Sequence, residues 1–200
     1  MKRLTALACL ATAVSLLPGT AMADSIKGQF GVTGRIGFLV PADNDAEFGI
    51  NRTNRTDTGF IGGGGLLYGI DDRLAADFEV TRAYFGSDTG DFQVSDVSLG
   101  GQYRFKLPQD PRFVPYAGGG LDILVTDYDA NDGAGRHVDT TVGIHAKGGI
   151  DYFVEKQVAL TAEAKIILAP DADITAGGRR SGDFDPSSFS STVGIRYFFK

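Results

Sequence analysis

The sequence predicts an all-β fold: an eight-stranded antiparallel transmembrane β-barrel with short periplasmic turns and long extracellular loops. Apolar residues recur at every second position in one segment after another, the period of a strand with one apolar and one polar face. Seven of the eight segments are 9–15 residues long, enough for the roughly 9–11 residues of a tilted membrane strand. The connections between them alternate between short and long, as in outer-membrane barrels.

The N-terminus reads as a secretory signal. Lys2 and Arg3 form a charged start, residues 4–17 are an apolar stretch too short to span a bilayer as a helix, and Ala21-Met22-Ala23 matches a cleavage site. We therefore expect 1–23 to be a removed signal peptide.

The remaining residues, 24–200, are expected to form one barrel domain. The only cysteine, Cys9, lies within the signal, so a disulfide scaffold is excluded. Without Lys2 and Arg3, 17 of the 19 basic residues remain against 25 acidic ones. This excess of acidic residues disfavours nucleic acid as a partner.

The final segment shows the strand pattern most clearly. Val193, Ile195, Tyr197 and Phe199 alternate with Thr192, Gly194 and Arg196. Seven earlier segments repeat it or are Gly-rich runs of matching length. In chain order, the eight segments are 29–40, 60–70, 74–80, 97–105, 113–125, 140–154, 159–168 and 191–200.

The connections fall into two classes. Residues 71–73, 106–112 and 155–157 are short turns, whereas 41–57, 86–91, 127–139 and 169–187 are expected to be polar loops. Short turns on one side and long loops on the other place the turns in the periplasm. An even number of strands then leaves both termini on the periplasmic side.

A soluble barrel of lipocalin type would show the same alternation with its apolar face inside. The polar face here is mostly Gly, Ser and Thr, unlike the Lys/Glu-rich surface of a soluble strand. The apolar-face aromatics lie at strand ends, where a bilayer has its interfaces. The expected periplasmic ring is Phe30, Tyr68, Tyr103, Phe105, Tyr152, Tyr197 and Phe199, and the outer ring is Phe38, Phe60, Tyr84 and Phe189. These features favour a lipid-facing apolar surface.

Several stretches resemble a known family. "VGIRYFF" resembles the C-terminal signal of bacterial outer-membrane proteins, which implies that Tyr197 and Phe199 are read by the barrel-insertion machinery. "RIGFLVPADND", "VSLGGQYRF", "PYAGGGLDI" and "GGIDYFVEKQVALTAEAKI" are similar, in order and spacing, to OmpW-type, porin-like small barrels of Gram-negative bacteria. The resemblance implies an eight-stranded barrel in the bacterial outer membrane that passes small, mainly hydrophobic compounds inward.

The inward faces of the predicted strands carry eleven charged residues. Five basic and six acidic groups in a narrow lumen are expected to pair, because unpaired buried charges are costly. Such a network would fill the barrel, although a selective ion path is an alternative. The expected network consists of Arg35, Asp77, Glu79, Asp96, Arg104, Asp122, Lys147, Asp151, Glu163, Lys165 and Arg196.

Above this layer, the same inward face becomes apolar near the extracellular strand ends. An apolar mouth over a polar floor suits a hydrophobic ligand. The alternative is that the long loops fold inward and pack on the same residues. The expected mouth consists of Leu39, Ile61, Phe85, Val94, Leu124 and Ile167.

Other chemistry is weakly supported by the sequence. Neither His145 nor His137 lies beside a serine on the lipid-facing surface, so catalysis is not expected, and neither is a cofactor. Residues 127–133 place Asp127, Asp129 and Asn131 at alternate positions, but glycine and glutamate are missing where a calcium loop needs them. An acidic loop exposed to solvent is favoured over a divalent site.

Two functions remain open. The chain is either a barrel that binds or transports small hydrophobic molecules, or a structural barrel whose loops contact lipopolysaccharide or host molecules. The expected partners are outer-membrane lipids and lipopolysaccharide, the insertion machinery and small hydrophobic ligands.

Overall fold

The computed structural model describes residues 25–42, 56–87, 90–130, 136–176 and 179–199. The expected signal peptide, 1–23, and Lys200 lie outside this range. Eight long strands form the wall of the molecule: β1 (Phe30–Pro41), β2 (Gly59–Gly69), β3 (Leu74–Ser87), β4 (Gly90–Arg104), β5 (Phe113–Ala130), β7 (Thr141–Phe153), β8 (Val158–Leu168) and β11 (Ser188–Phe199). Three shorter strands are β6 (Arg136–Val138), β9 (Ala172–Ala176) and β10 (Arg179–Phe184).

The eight long strands close into an antiparallel barrel in the order β1-β11-β8-β7-β5-β4-β3-β2. The first and last strands close it, with a register that runs from Phe30 opposite Phe199 to Pro41 opposite Ser188. Closure satisfies the backbone groups that an open sheet edge would expose to lipid. The eight-stranded barrel expected from the sequence is confirmed. No helix of the described residues is long and apolar enough to cross a membrane.

Alternate residues of each strand face outward or inward. On β1, Val32 and Ile36 are exposed, whereas Thr33 and Arg35 are buried in the lumen. Most of the large outward side chains are apolar, as a lipid environment requires, although Arg82, Gln93 and Ser95 also face outward. The inward faces therefore determine what the barrel can hold.

The expected long loops were wrong in three places, because part of each is strand. β5 continues to Ala130, and β3 and β4 extend to Ser87 and Gly90, which pair with each other inside the expected 86–91 loop. Within 127–139 and 169–187, β6, β9 and β10 form a separate three-stranded sheet in the order β10-β9-β6. Buried Val138, Ile174 and Phe184 anchor this sheet, which we call the outer sheet. Isolated apolar residues in polar segments therefore mark strands that pack on the barrel end.

Candidate functional site

The six side chains expected at the mouth lie together at the outer end of the lumen. Leu39, Ile61, Phe85, Val94, Leu124 and Ile167 come from six different strands, are each at most 8 % exposed, and belong to one apolar cluster. They meet because each occupies the inward face near the extracellular end of its strand. Sequence reasoning therefore identified a set of neighbours that are far apart in the chain.

The outer sheet covers part of this cluster. Val138, Ala172, Ile174 and Phe184 pack against it, and the Phe184 ring stacks on Phe92 with centroids 4.9 Å apart. Phe92 in turn stacks on Tyr128 and Phe85. One side of the mouth is thus filled by connections that fold inward, the alternative that the sequence left open.

A cavity remains beside the packed side. It contains about 600 Å³ free of protein atoms, part of it continuous with solvent, but only about 30 Å³ can hold the centre of a water molecule. The free space is therefore narrow, and a ligand larger than a few atoms has to displace the surrounding side chains or the outer sheet. All six mouth residues line it, together with Phe184, Pro186 and the floor residues Arg35, Glu79, Asp96, Glu163 and Lys165.

The floor of this cavity is a layer of paired charges. Arg35 lies between two carboxylates, 2.8 Å from Glu79 on one side and in direct contact with Glu163 on the other. Lys165 is 2.8 Å from Asp96 and 2.7 Å from Asp122. These side chains are at most 8 % exposed, so each charge is compensated by neighbours rather than by bulk water.

The other expected charges pair below and beside this floor. Lys147 lies 2.5 Å from Asp77 and 3.8 Å from Glu79. Nearer the periplasm, Arg104 and Arg196 share Asp151, at 2.7 Å and 2.6 Å. All eleven residues expected in the lumen network are buried, and each makes at least one ion pair.

His145 adds a sixth basic group to the lumen. Its Nδ1 lies 2.8 Å from Asp122, and both side chains are fully buried. Two inward glycines make room for the ring, since a Cβ on Gly120 would lie 2.8 Å from its Cε1 and a Cβ on Gly100 3.2 Å from its Nε2. His145 is therefore a member of the network rather than part of a lipid-facing pair with serine.

Tyr116 also belongs to the network, and the sequence reasoning missed it. Its hydroxyl donates a 2.9 Å hydrogen bond to Glu163 and lies 3.3 Å from the Thr161 hydroxyl. The Arg196 guanidinium stacks over the Tyr116 ring at 5.4 Å from the centroid. A Cβ on Gly149 would lie 2.5 Å from this ring, so the glycine provides the space. Tyr116 lies an even number of residues from Asp122 and Leu124 on the same strand, so the two-residue period could have placed its side chain in the lumen.

A second apolar cluster closes the periplasmic end of the lumen and was also missed. Phe153 and Phe198 stack with centroids 5.6 Å apart, and Ile26, just before β1, packs beneath the barrel. Leu67, Ala75, Val114 and Ala159 complete the cluster. On each strand, these residues lie an even number of positions from the other inward-facing residues. Continuing the two-residue period towards the periplasmic end would therefore have placed them in the lumen. The lumen is thus blocked by charge in the middle and by apolar side chains below.

The remaining expected features lie on the surface. Tyr197 and Phe199 face outward at the periplasmic end of β11, where their rings pack edge to face. Asp127 and Asp129 lie on β5, whereas Asn131 lies outside the described residues. Within the described part of the chain, no group of three or more His, Cys, Asp or Glu residues could hold a metal ion.

Residues 8–197 match the family of outer membrane protein β-barrel domains. The chain belongs to this family. It lies in the bacterial outer membrane, and the expected relation to OmpW-type, porin-like small barrels is confirmed. A comparison with curated proteins found no match.

Solved structures share the fold at low sequence identity. OprG from Pseudomonas aeruginosa is 17% identical with a TM-score of 0.71, over 86% of this chain and 96% of that one. Neisserial surface protein A is 17% identical with a TM-score of 0.60, over 88% and 99%. AlkL in DMPC bilayers is 16% identical with a TM-score of 0.57, over 87% and 91%. At these identities, the similarity concerns the fold.

Proposed function

We propose that this outer-membrane barrel binds small hydrophobic molecules at the outer end of its lumen and passes them across the outer membrane. The observation that carries the proposal is the cavity lined by Leu39, Ile61, Phe85, Val94, Leu124 and Ile167 above a layer of paired charges. An apolar solute gains free energy by leaving water for such a wall. A polar solute meets charges that are already paired.

The route onward does not run straight down the lumen, because the charge layer and the Phe153–Phe198 cluster lie in the way. A sideways route is favoured at the outer end of the seam between β7 and β8. Their ladder ends at the pair Ile144–Leu168, although β7 begins three residues earlier, at Thr141. The depression outside this seam is lined by Leu121, Val142, Gly143, Ile144, Leu168, Ala169 and Pro170. Ile167, a mouth residue, lies immediately behind the seam on β8.

Binding is tested with Leu124→Asp. The matched control is Val114→Asp, since both residues lie on the inward face of β5 but Val114 belongs to the periplasmic cluster. Burying one large apolar side chain is worth about 2 kcal/mol, so a carboxylate at Leu124 should weaken binding of N-phenyl-1-naphthylamine by more than about tenfold. The measurement uses folded barrels in lipid nanodiscs, with partitioning into empty nanodiscs subtracted. Equal affinity in wild type and both variants would favour the surface-interaction function instead.

Passage through the proposed sideways route is tested separately, with a disulfide that links β7 to the chain just after β8. A Cβ built on Gly143 lies 3.1 Å from the Ala169 Cβ, so the two positions must move apart by a few tenths of an ångström to reach the roughly 3.5–4.5 Å of a disulfide. Gly143→Cys with Ala169→Cys should, when oxidised, keep binding but slow entry of the probe into vesicles, and reduction should restore entry. Unchanged entry in the oxidised form would contradict the sideways route.

A further inference from the structure

The cavity has a second chemical character besides its apolar wall. Besides Ser187 and Ser188 near the rim, three hydroxyl side chains line it closer to the charge layer: Thr81 on β3, and Ser190 and Thr192 on β11. Each is at most 7 % exposed. We call these three residues the hydroxyl shelf.

Two hydroxyls deeper in the lumen are paired, whereas Ser98, at the level of the charge layer, is buried without a partner. Thr33 accepts a 2.8 Å hydrogen bond from Arg196, and Thr161 lies 3.3 Å from the Tyr116 hydroxyl. Among the described residues, Thr81, Ser190 and Thr192 have no hydrogen-bond partner. Their oxygens are not among the fully enclosed unpaired atoms, so they remain accessible from the cavity and can hydrogen-bond to a partner that enters it.

The neighbouring charges indicate that this partner is uncharged. Arg35 is already held by Glu79 and Glu163, and Lys165 by Asp96 and Asp122. A charged ligand group would have to break one of these buried pairs, which leaves a charge uncompensated. An alcohol, phenol or amide can donate to or accept from a hydroxyl without disturbing them.

The position of the shelf fixes the orientation of such a ligand. Ser190 is paired in register with Leu39 of β1 and with Lys165 of β8, so the β11 hydroxyls lie between the apolar wall and the charged floor. On the neighbouring strands, the inward positions Gly37, paired with Thr192, and Gly63, paired with Thr81, carry no side chain. An apolar body held by the wall would therefore direct its other end onto the shelf.

We infer that the ligand of this barrel is a small amphiphile: an apolar body that ends in one uncharged hydrogen-bonding group, seated on Thr81, Ser190 and Thr192. This inference rests on the proposed function and names the ligand class of the same cavity. A pure hydrocarbon would leave all three hydroxyls without partners, and a carboxylate would compete with the paired floor. The shelf therefore selects against both.

The test compares naphthalene, 2-naphthol and 2-naphthoate, which share one apolar body. They are measured by equilibrium dialysis against the folded full-length barrel in nanodiscs, with empty nanodiscs subtracted. Wild type should bind 2-naphthol about tenfold more tightly than naphthalene, the worth of one well-made hydrogen bond, and 2-naphthoate more weakly than 2-naphthol. Equal affinity for naphthalene and 2-naphthol, or preference for 2-naphthoate, would overturn the inference.

Variants locate the preference on the shelf. Thr81→Val, Ser190→Ala and Thr192→Val together should abolish the preference for 2-naphthol without weakening naphthalene binding, because the hydroxyls are removed while the apolar wall is kept. The control is Thr126→Val, which removes another buried inward hydroxyl that does not line the cavity. If the triple variant fails to fold, Ser190→Ala alone should reduce the preference.

The outcomes separate this inference from the proposed function. Equal affinity for naphthalene and 2-naphthol would agree with a hydrophobic binding site but contradict the inference that the ligand is an amphiphile. If neither compound binds, both the proposed function and the inferred ligand class are contradicted. A preference that survives in the triple variant shows that the polar end sits elsewhere and contradicts the shelf.

Discussion

Nη1 of Arg196 lies 2.6 Å from Oδ2 of Asp151, so that an ion pair joins β11 to β7 across the intervening β8. The same oxygen is 2.7 Å from Nη1 of Arg104 on β4. One carboxylate therefore connects three strands that are not neighbours in the wall. Both guanidiniums also contact rings, Arg104 over Phe198 and Arg196 over Tyr116.

Asp151→Asn should strongly destabilise the barrel. The substitution leaves two buried guanidiniums without their shared anion, and breaking a buried pair in this way costs about 3–5 kcal/mol. The urea midpoint in phospholipid vesicles, followed by the gel mobility of folded and unfolded barrel, should fall clearly. Asp72→Asn is the control, because its partner Lys106 is 3.1 Å away and both side chains are about half exposed. An unchanged midpoint for Asp151→Asn would show that the network does not stabilise the fold.

The terminal aromatic should matter more for assembly than for packing. Phe199 and Phe189 both face lipid on β11, at opposite ends, and are 48% and 40% exposed. Phe199→Ala should reduce the yield of inserted barrel in cells, whereas Phe189→Ala, which removes the same side chain from the other end, should have little effect. Deletion of Lys200, which lies outside the described residues, should be tolerated. Equal yields for both alanine variants would remove Phe199 from the insertion signal.

The orientation of the barrel can be tested with single cysteines. We expect Asp139→Cys, beside the outer sheet, to react with a membrane-impermeant thiol reagent on intact cells, because its side chain is exposed at the extracellular end. Gln109→Cys, in the turn between β4 and β5, should react only after the outer membrane is opened. Reaction of Gln109→Cys alone on intact cells would invert the orientation.

The wall of the barrel could be predicted from the sequence because its period is local. Val193, Ile195 and Tyr197 face lipid and Arg196 faces the lumen for the same reason, the two-residue repeat of a strand. Carrying that parity to the strand ends also placed Leu39, Leu124 and Ile167 on one surface. Neither inference needed any knowledge of which strands are paired.

The choice of ion-pair partners could not be predicted in the same way. Asp151 lies 45 residues before Arg196 and 47 after Arg104, and their meeting depends on the register and tilt of the whole barrel. The outer sheet was missed because β6 is three residues long and its apolar members are single residues in polar segments. The hydroxyl shelf was missed because serine and threonine on an inward face look like any polar lining until their hydrogen bonds are counted.

The central claim is that a small hydrophobic ligand occupies the outer lumen. Crystals of the barrel soaked with 1-bromonaphthalene test it most directly, because bromine can be located by its anomalous scattering. We predict one bromine peak within contact distance of Ile61, Leu124 and Ile167, absent from crystals of Leu124→Asp and retained in Val114→Asp. A peak only in the outward-facing groove lined by Ile36, Ile150 and Val193, or at no fixed position, would contradict the account.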